Sequence, residues 1–115
     1  MVGAHRPADA ATGIDLTTNV MRADLSVSGV GDIGITDTDA ITLTDVDTVD
    51  GAITVVAGGA LTATDVTSGN DGAIDLTGVG LVAGAVNAGA GTVDLDGGTG
   101  AISDAAGDVT GGVLT

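Results

Sequence analysis

Aliphatic pairs separated by a single residue recur along this chain at a nearly constant step. They read Ile14-Asp15-Leu16, Ile33-Gly34-Ile35, Ile53-Thr54-Val55, Ile74-Asp75-Leu76 and Val93-Asp94-Leu95, with a partial copy at Val113-Leu114. The first member falls at 14, 33, 53, 74, 93 and 113, so the steps are 19, 20, 21, 19 and 20 residues. A second set repeats in phase: Leu25-Ser26-Val27, Ile41-Thr42-Leu43, Leu61-Thr62-Ala63, Leu81-Val82-Ala83 and Ile102-Ser103. A third and weaker set is Val46, Val66 and Val86. Apolar residues at every second position, bounded by Gly, Asp, Asn or Ser, mark short strands. Two or three such strands in each fixed period mark a solenoid. Each period is then one coil, and each strand pairs in parallel with its equivalent one coil along, at a spacing of ~4.8 Å. The expectation is an all-β chain forming a parallel β-helix, a right-handed solenoid of about five coils of about 20 residues. The alternative is an antiparallel sandwich, because many short strands also pair as hairpins.

The amino-acid alphabet agrees with that reading. At 115 residues the chain holds one domain. It has no Glu, Lys, Gln, Cys or aromatic residue, which removes the good helix formers, disulfides, thiol chemistry and stacking platforms together. Its many Ala and Val side chains suit a narrow interior. An apolar fraction of 43% and a mean hydropathy of +0.50 argue for folding despite the simple composition. A net charge of −14, from 16 acidic residues against Arg6 and Arg22, repels a nucleic-acid backbone and an anionic membrane. Neither nucleic-acid binding nor membrane insertion is expected. Met1 to Thr12 carries the single Pro and the single His and is read as a flexible N-terminal tail without the layout of a secretory signal. Residues 13–115 are read as the repeat domain. No amphipathic capping helix is apparent at either end, and Val113-Leu114-Thr115 lies partway through a coil. The expectation is a piece of a longer solenoid, or end-to-end self-association.

Four segments carry a family resemblance: Gly51-Ala-Ile-Thr-Val, Gly59-Ala-Leu-Thr-Ala-Thr64, Gly72-Ala-Ile-Asp-Leu-Thr77 and Gly100-Ala-Ile-Ser-Asp-Ala105. From about Thr12 to Thr115 the chain resembles the repeats of filamentous-haemagglutinin-type adhesins, β-strand repeat-containing bacterial surface proteins. The resemblance implies a right-handed β-helix and a secreted or cell-surface location. It also implies a structural stalk or spacer role, with any receptor on a host or surface contacted by other parts of the parent protein. Family binding and catalytic functions sit outside such repeats, so no residue role is carried over.

Several motifs point to chemistry and are weighed against the repeat. Gly29-Val-Gly31-Asp-Ile-Gly34 matches a dinucleotide-binding fingerprint, but β-branched alternation follows where a helix is required. Asp45-Val-Asp47-Thr-Val-Asp50 hints at a calcium loop that lacks the spacing and the bidentate Glu. No cofactor is expected, and the stacked outward carboxylates are read first as a solvated acidic face that keeps the rod soluble; as a metal site the candidates are Asp45 with Asp65 and Asp75 with Asp94 on adjacent coils, with calcium as the cation. Carboxylates ~5 Å apart repel by about 1 kcal/mol in bulk water, and a divalent cation relieves this. Thr17, Thr36 and Thr77 form one outward column, and Thr42 with Thr62 and Thr44 with Thr64 form others, the raw material of an ice-binding face. The 18 uncharged residues from Leu76 to Val93 reach membrane-span length, yet the repeat runs straight through them. His5, a lone neutral-pH base, sits in the expected tail. With one Arg inside the repeats and no sugar platform, an enzyme is not expected. A cation-binding or ice-binding module is the alternative to the stalk.

Overall fold

The computed structural model describes residues 6–10, 14–18, 22–70, 72–104, 109–110 and 113–114. Thirteen strands follow one another in chain order, and no helix occurs among the described residues. They are β1 Arg6–Ala10, β2 Ile14–Thr18, β3 Arg22–Val30, β4 Ile33–Asp37, β5 Ile41–Asp50, β6 Ile53–Ala57 and β7 Leu61–Ser68. Then come β8 Ile74–Thr77, β9 Leu81–Asn87, β10 Thr92–Asp96, β11 Ile102–Asp104, β12 Val109–Thr110 and β13 Val113–Leu114. Odd-numbered strands from β1 to β11 form one sheet in that order, with β12 also paired to β9. The other sheet runs β2, β4, β6, β8, β10 and β13. Every pairing is parallel, as a solenoid requires, because each strand meets its equivalent one coil later. The chain is a parallel β-helix.

Period-two alternation decides which residues face inward. In β6 the pattern runs buried, exposed, buried, exposed, buried from Ile53 to Ala57. The inward members stack into columns through the register. One column is Ile33, Ile53, Ile74 and Val93. Another is Ile41, Leu61, Leu81 and Ile102. A third is Leu25, Val46, Val66, Val86 and Val109. Leu25, Val46, Ile53, Leu61, Val66, Ile74, Leu76 and Val86 are all fully buried, each worth about 1.5–3 kcal/mol relative to exposure. Leu43 is followed in its column by Ala63 and Ala83, so a wide coil sits on narrower ones.

The long strands β5 and β7 break phase in their middle. In β5 the half-buried Thr44, whose Oγ1 is enclosed, is followed by the exposed Asp45, and in β7 Thr64 and Asp65 are both exposed; burial resumes at Val46 and Val66. This is a corner carried inside a continuous strand, so each coil has three sides and the three aliphatic sets of the sequence are those sides. One alignment needs correction. The sequence reading placed Leu25-Ser26-Val27 with Ile41 and Leu61, whereas the register sets Leu25 against Val46 and Val27 against Thr48. Ala23 instead faces Leu43, with a register shift between Ala23 and Asp24.

The N-terminal reading also changes. Arg6–Ala10 is strand β1, paired in parallel with β3, and not part of a flexible tail. The strand closes one edge of its sheet, and the edge is where a proline, lacking a ladder donor, is tolerated. Met1 to His5, including the histidine considered above, lie outside the described residues, as do Ala11, Thr12 and Gly13.

Two devices hold the corner after the second side. The first is close backbone approach. A Cβ on Gly51 would stand 2.0 Å from the Gly31 carbonyl oxygen, and one on Gly72 would stand 2.0 Å from that of Gly51. Only glycine fits such a stack. The second is a buried hydroxyl. Thr48 Oγ1 donates to the Gly51 carbonyl at 2.9 Å, and one coil later Ser68 Oγ donates to the Gly72 carbonyl. Both side chains are almost wholly buried, and both satisfy a carbonyl that the corner would otherwise orphan. Cross-coil backbone bonds continue through the next corners, from Ile53 N–H to Ala73 O at 2.8 Å and from Leu61 N–H to Gly80 O at 3.0 Å.

Candidate functional site

Because the interior is filled by aliphatic columns, chemistry on this scaffold belongs to the outward columns. The sheet containing β4, β6, β8 and β10 presents two. The first runs Gly34, Thr54, Asp75, Asp94 and the second Thr36, Val56, Thr77, Asp96. Asp75 and Asp94 are direct register partners, as their spacing predicts. Partial desolvation against the sheet, then the charges of Asp94 and Asp96, push the Asp75 carboxyl above its ordinary value.

The second carboxylate stack lies at the corner inside the other sheet. Asp45 and Asp65 occupy equivalent positions on adjacent coils, flanked by the partners Leu43 and Ala63 on one side and Val46 and Val66 on the other. Asp24, opposite Asp45, adds a third rank that the repeat alignment had missed. Desolvation again leads in raising the Asp45 carboxyl above its ordinary value, followed by Asp47, Asp65 and Asp24. The neighbouring column softens the charge with hydroxyls. Ser26 Oγ donates to Asp47 Oδ1 at 2.8 Å across the coils, and Thr67 Oγ1 lies 3.4 Å from Asp65 Oδ1. Among the described residues no group of three or more His, Cys, Asp or Glu side chains is arranged to hold a metal ion.

No protein family, curated sequence or solved structure matches this chain.

Other acidic residues serve the turns. Asp32 Oδ1 accepts the Ala52 N–H at 2.8 Å, tying one coil to the next. Asp37 Oδ1 accepts the Asp39 N–H, and Asp96 Oδ1 the Gly98 N–H, each at 2.8 Å. Asn87 does the same for Gly89. Such side-chain-to-backbone bonds are the ordinary work of Asp and Asn at turns. Asp37 performs it while almost wholly buried.

The remaining motifs resolve into parts of the coil. Gly29 to Gly34 spans the end of β3, a corner and the start of β4, so a strand stands where a dinucleotide site requires a helix. Asp45 to Asp50 lies extended within β5. The threonine columns hold two ranks, Thr42 over Thr62, before Val82 and Ser103 follow. Thr44 and Thr64 are followed by Gly84. Leu76 to Val93 runs through β8, β9 and β10, and among the described residues no helix is long and apolar enough to cross a membrane.

Proposed function

We propose that this chain is a structural stalk or spacer segment of a secreted or surface-exposed bacterial adhesin-like protein, and that it is not catalytic. The observation supporting this most is the contrast between its inside and its outside. The inward columns of Ile33, Ile41 and Val46 keep their aliphatic character from coil to coil, while the outward column Gly34, Thr54, Asp75, Asp94 changes chemistry at nearly every step. Selection for a repeated ligand surface would preserve the outside; selection for a rod preserves the inside. The resemblance of its repeats to filamentous-haemagglutinin-type adhesins supports the same reading, with receptor contact made elsewhere in the parent protein.

Duplicating residues 53–73 tests the rod. A spacer accepts the extra coil, lengthens by ~4.8 Å in solution scattering and keeps its β-type circular dichroism. Saturable binding of the isolated chain to host cells or polysaccharide would overturn the stalk reading. Cation binding is the second reading, favoured by the like charges crowded around Asp45 and Asp75. A melting midpoint that climbs with micromolar calcium and falls with chelator would promote it by mass action. The stalk reading expects one midpoint in both.

A further inference from the structure

An aspartate followed by glycine is where a polypeptide most readily rearranges on its own, because glycine has no side chain to shield its nitrogen from the neighbouring carboxyl. The chain has three such pairs, Asp50-Gly51, Asp71-Gly72 and Asp96-Gly97. Asp71 itself lies outside the described residues. The fold treats the three glycines differently. Gly51 and Gly72 belong to the corner stack, where an added Cβ would stand 2.0 Å from a backbone carbonyl oxygen of the preceding coil. The hydroxyls of Thr48 and Ser68 bond the carbonyls of these two glycines. A peptide held in this way has no room to turn. Asp96, by contrast, is the exposed last residue of β10. Gly97 is buried, but looser packing covers it. The nearest neighbours of an added Cβ are a side-chain carbon of the half-exposed Ile102 at 2.9 Å and the Gly100 carbonyl of the same loop at 3.0 Å.

A second feature singles out Asp96. Its Oδ1 accepts the Gly98 N–H at 2.8 Å, which folds the carboxyl back over the intervening Gly97 peptide. Asp37 and Asn87 make the same bond, to the N–H groups of Asp39 and Gly89. The residue between is the β-branched Thr38 in the first case and the fully buried Ala88 in the second. Of these three turns, the one at Asp96 alone sets a glycine nitrogen beneath an exposed carboxyl. The Gly98 N–H also points at the oxygen that gains negative charge when the carboxyl carbon is attacked, and a donor already in place there stabilises that charge.

We infer that Asp96-Gly97 is a site of spontaneous isoaspartate formation in the folded chain. The Gly97 nitrogen bonds to Asp96 Cγ, and the amide proton leaves with the carboxyl OH as water, closing a cyclic imide. Water then adds to either imide carbonyl. Opening at Cγ restores Asp96. Opening at the former main-chain carbonyl leaves the backbone running through the side-chain carbons, with a free carboxylate where that carbonyl stood. No oxidant, reductant or second protein is needed. The carbonyl converted in this way is the one that accepts the Gly78 N–H at 2.9 Å, beside the register pair Thr77 and Asp96. The rearrangement therefore loosens the tie between β8 and β10. The inference stands apart from the stalk reading.

Ageing the whole chain in water enriched in heavy oxygen, in mildly acidic buffer with and without urea, tests it. Each passage through the imide incorporates a heavy oxygen. Mass spectrometry locates the label after digestion with an endoproteinase that cuts before aspartate and not before isoaspartate. In the folded chain Asp96 should gain label roughly tenfold faster than Asp50, the scale on which one modest hydrogen bond changes a rate. In urea the two should gain it alike. The melting midpoint of the aged wild type should fall, and that of identically aged Asp96→Ser should hold. Equal labelling of Asp96 and Asp50 in the folded chain would overturn the inference, as would label at Asp96 that appears only in urea. Midpoints that fall equally in the two aged proteins would overturn it as well.

Discussion

Replacing Leu61 by alanine removes three carbons from a side chain with no solvent exposure, packed in its column between Ile41 and Leu81. The lost transfer energy is about 2.4 kcal/mol at ~0.8 kcal/mol per methylene equivalent. The neighbouring coils are pinned by backbone ladders and cannot collapse inward, so a cavity of roughly 60 Å³ persists and adds about 1.5 kcal/mol. The expected loss is therefore about 4 kcal/mol, a large part of the roughly 6–17 kcal/mol that a chain of this length commands. Ile102→Ala is the internal control. It removes as many carbons from the same column at a position 51% exposed, where solvent already reaches the side chain. About 1 kcal/mol is expected there. Urea titration followed by far-UV circular dichroism is the assay, since a chain without aromatic residues is silent in fluorescence. A Leu61→Ala loss below 1 kcal/mol, or one no larger than that of Ile102→Ala, would refute the inference that stacked columns carry the stability.

Gly51→Ala should destabilise by more than about 2 kcal/mol, because its Cβ would meet the Gly31 carbonyl at 2.0 Å. Gly80→Ala should cost only about 1 kcal/mol, since its neighbour stands 3.9 Å away and the penalty comes from its φ of +84° alone; thermal melts of the two variants decide. Ser68→Ala should lose about 1–2 kcal/mol by orphaning the Gly72 carbonyl, whereas Ser68→Thr should retain most of it, as Thr48 does one coil earlier. Acidification should raise the melting midpoint. The Asp45 and Asp75 carboxyls sit above 3.8 in the folded chain, so the fold binds protons that the unfolded chain does not. The stability they withdraw at neutral pH returns as pH falls through their raised values toward 3.8, and Asp45→Asn should flatten that slope. A midpoint that falls steadily from pH 7 on acidification would contradict the assignment.

The interior was legible because inward positions alternate and recur at a fixed step. Ile33, Ile53 and Ile74 announce both their strand and their column. The assignment of Leu25 failed for want of one measure, its distance to the next aliphatic pair. Leu25 precedes Ile33 by 8 residues, much as Val46 precedes Ile53 by 7, whereas Ile41 precedes Ile53 by 12. That misplacement also hid Asp24 from the stack containing Asp45 and Asp65. Strand β1 escaped notice because Ala8 and Ala10 carry too little apolar bulk to register as a strand, and Pro7 argues against one except at an edge. Thr48 and Ser68 were invisible as core residues, since their inward direction makes sense only once the glycine carbonyls of the next corner are in place. The stacked pairs Asp45 with Asp65 and Asp75 with Asp94 followed directly from the period, because a carboxylate one coil away in sequence is one rank away in space.

Each strand from β3 to β10 pairs with the coils before and after it, so the backbone hydrogen bonds lie along the solenoid axis. Tension applied along that axis pulls directly against them, and it loads the outermost rank first. When one coil gives way, about twenty residues are released, some 65 Å of extended chain, while the coil beneath becomes the new end with its own ladder intact. The rod therefore yields in steps of one coil and dissipates work at each. It also restores itself by laying the freed strand back on an unchanged template, in a register that the aliphatic columns dictate.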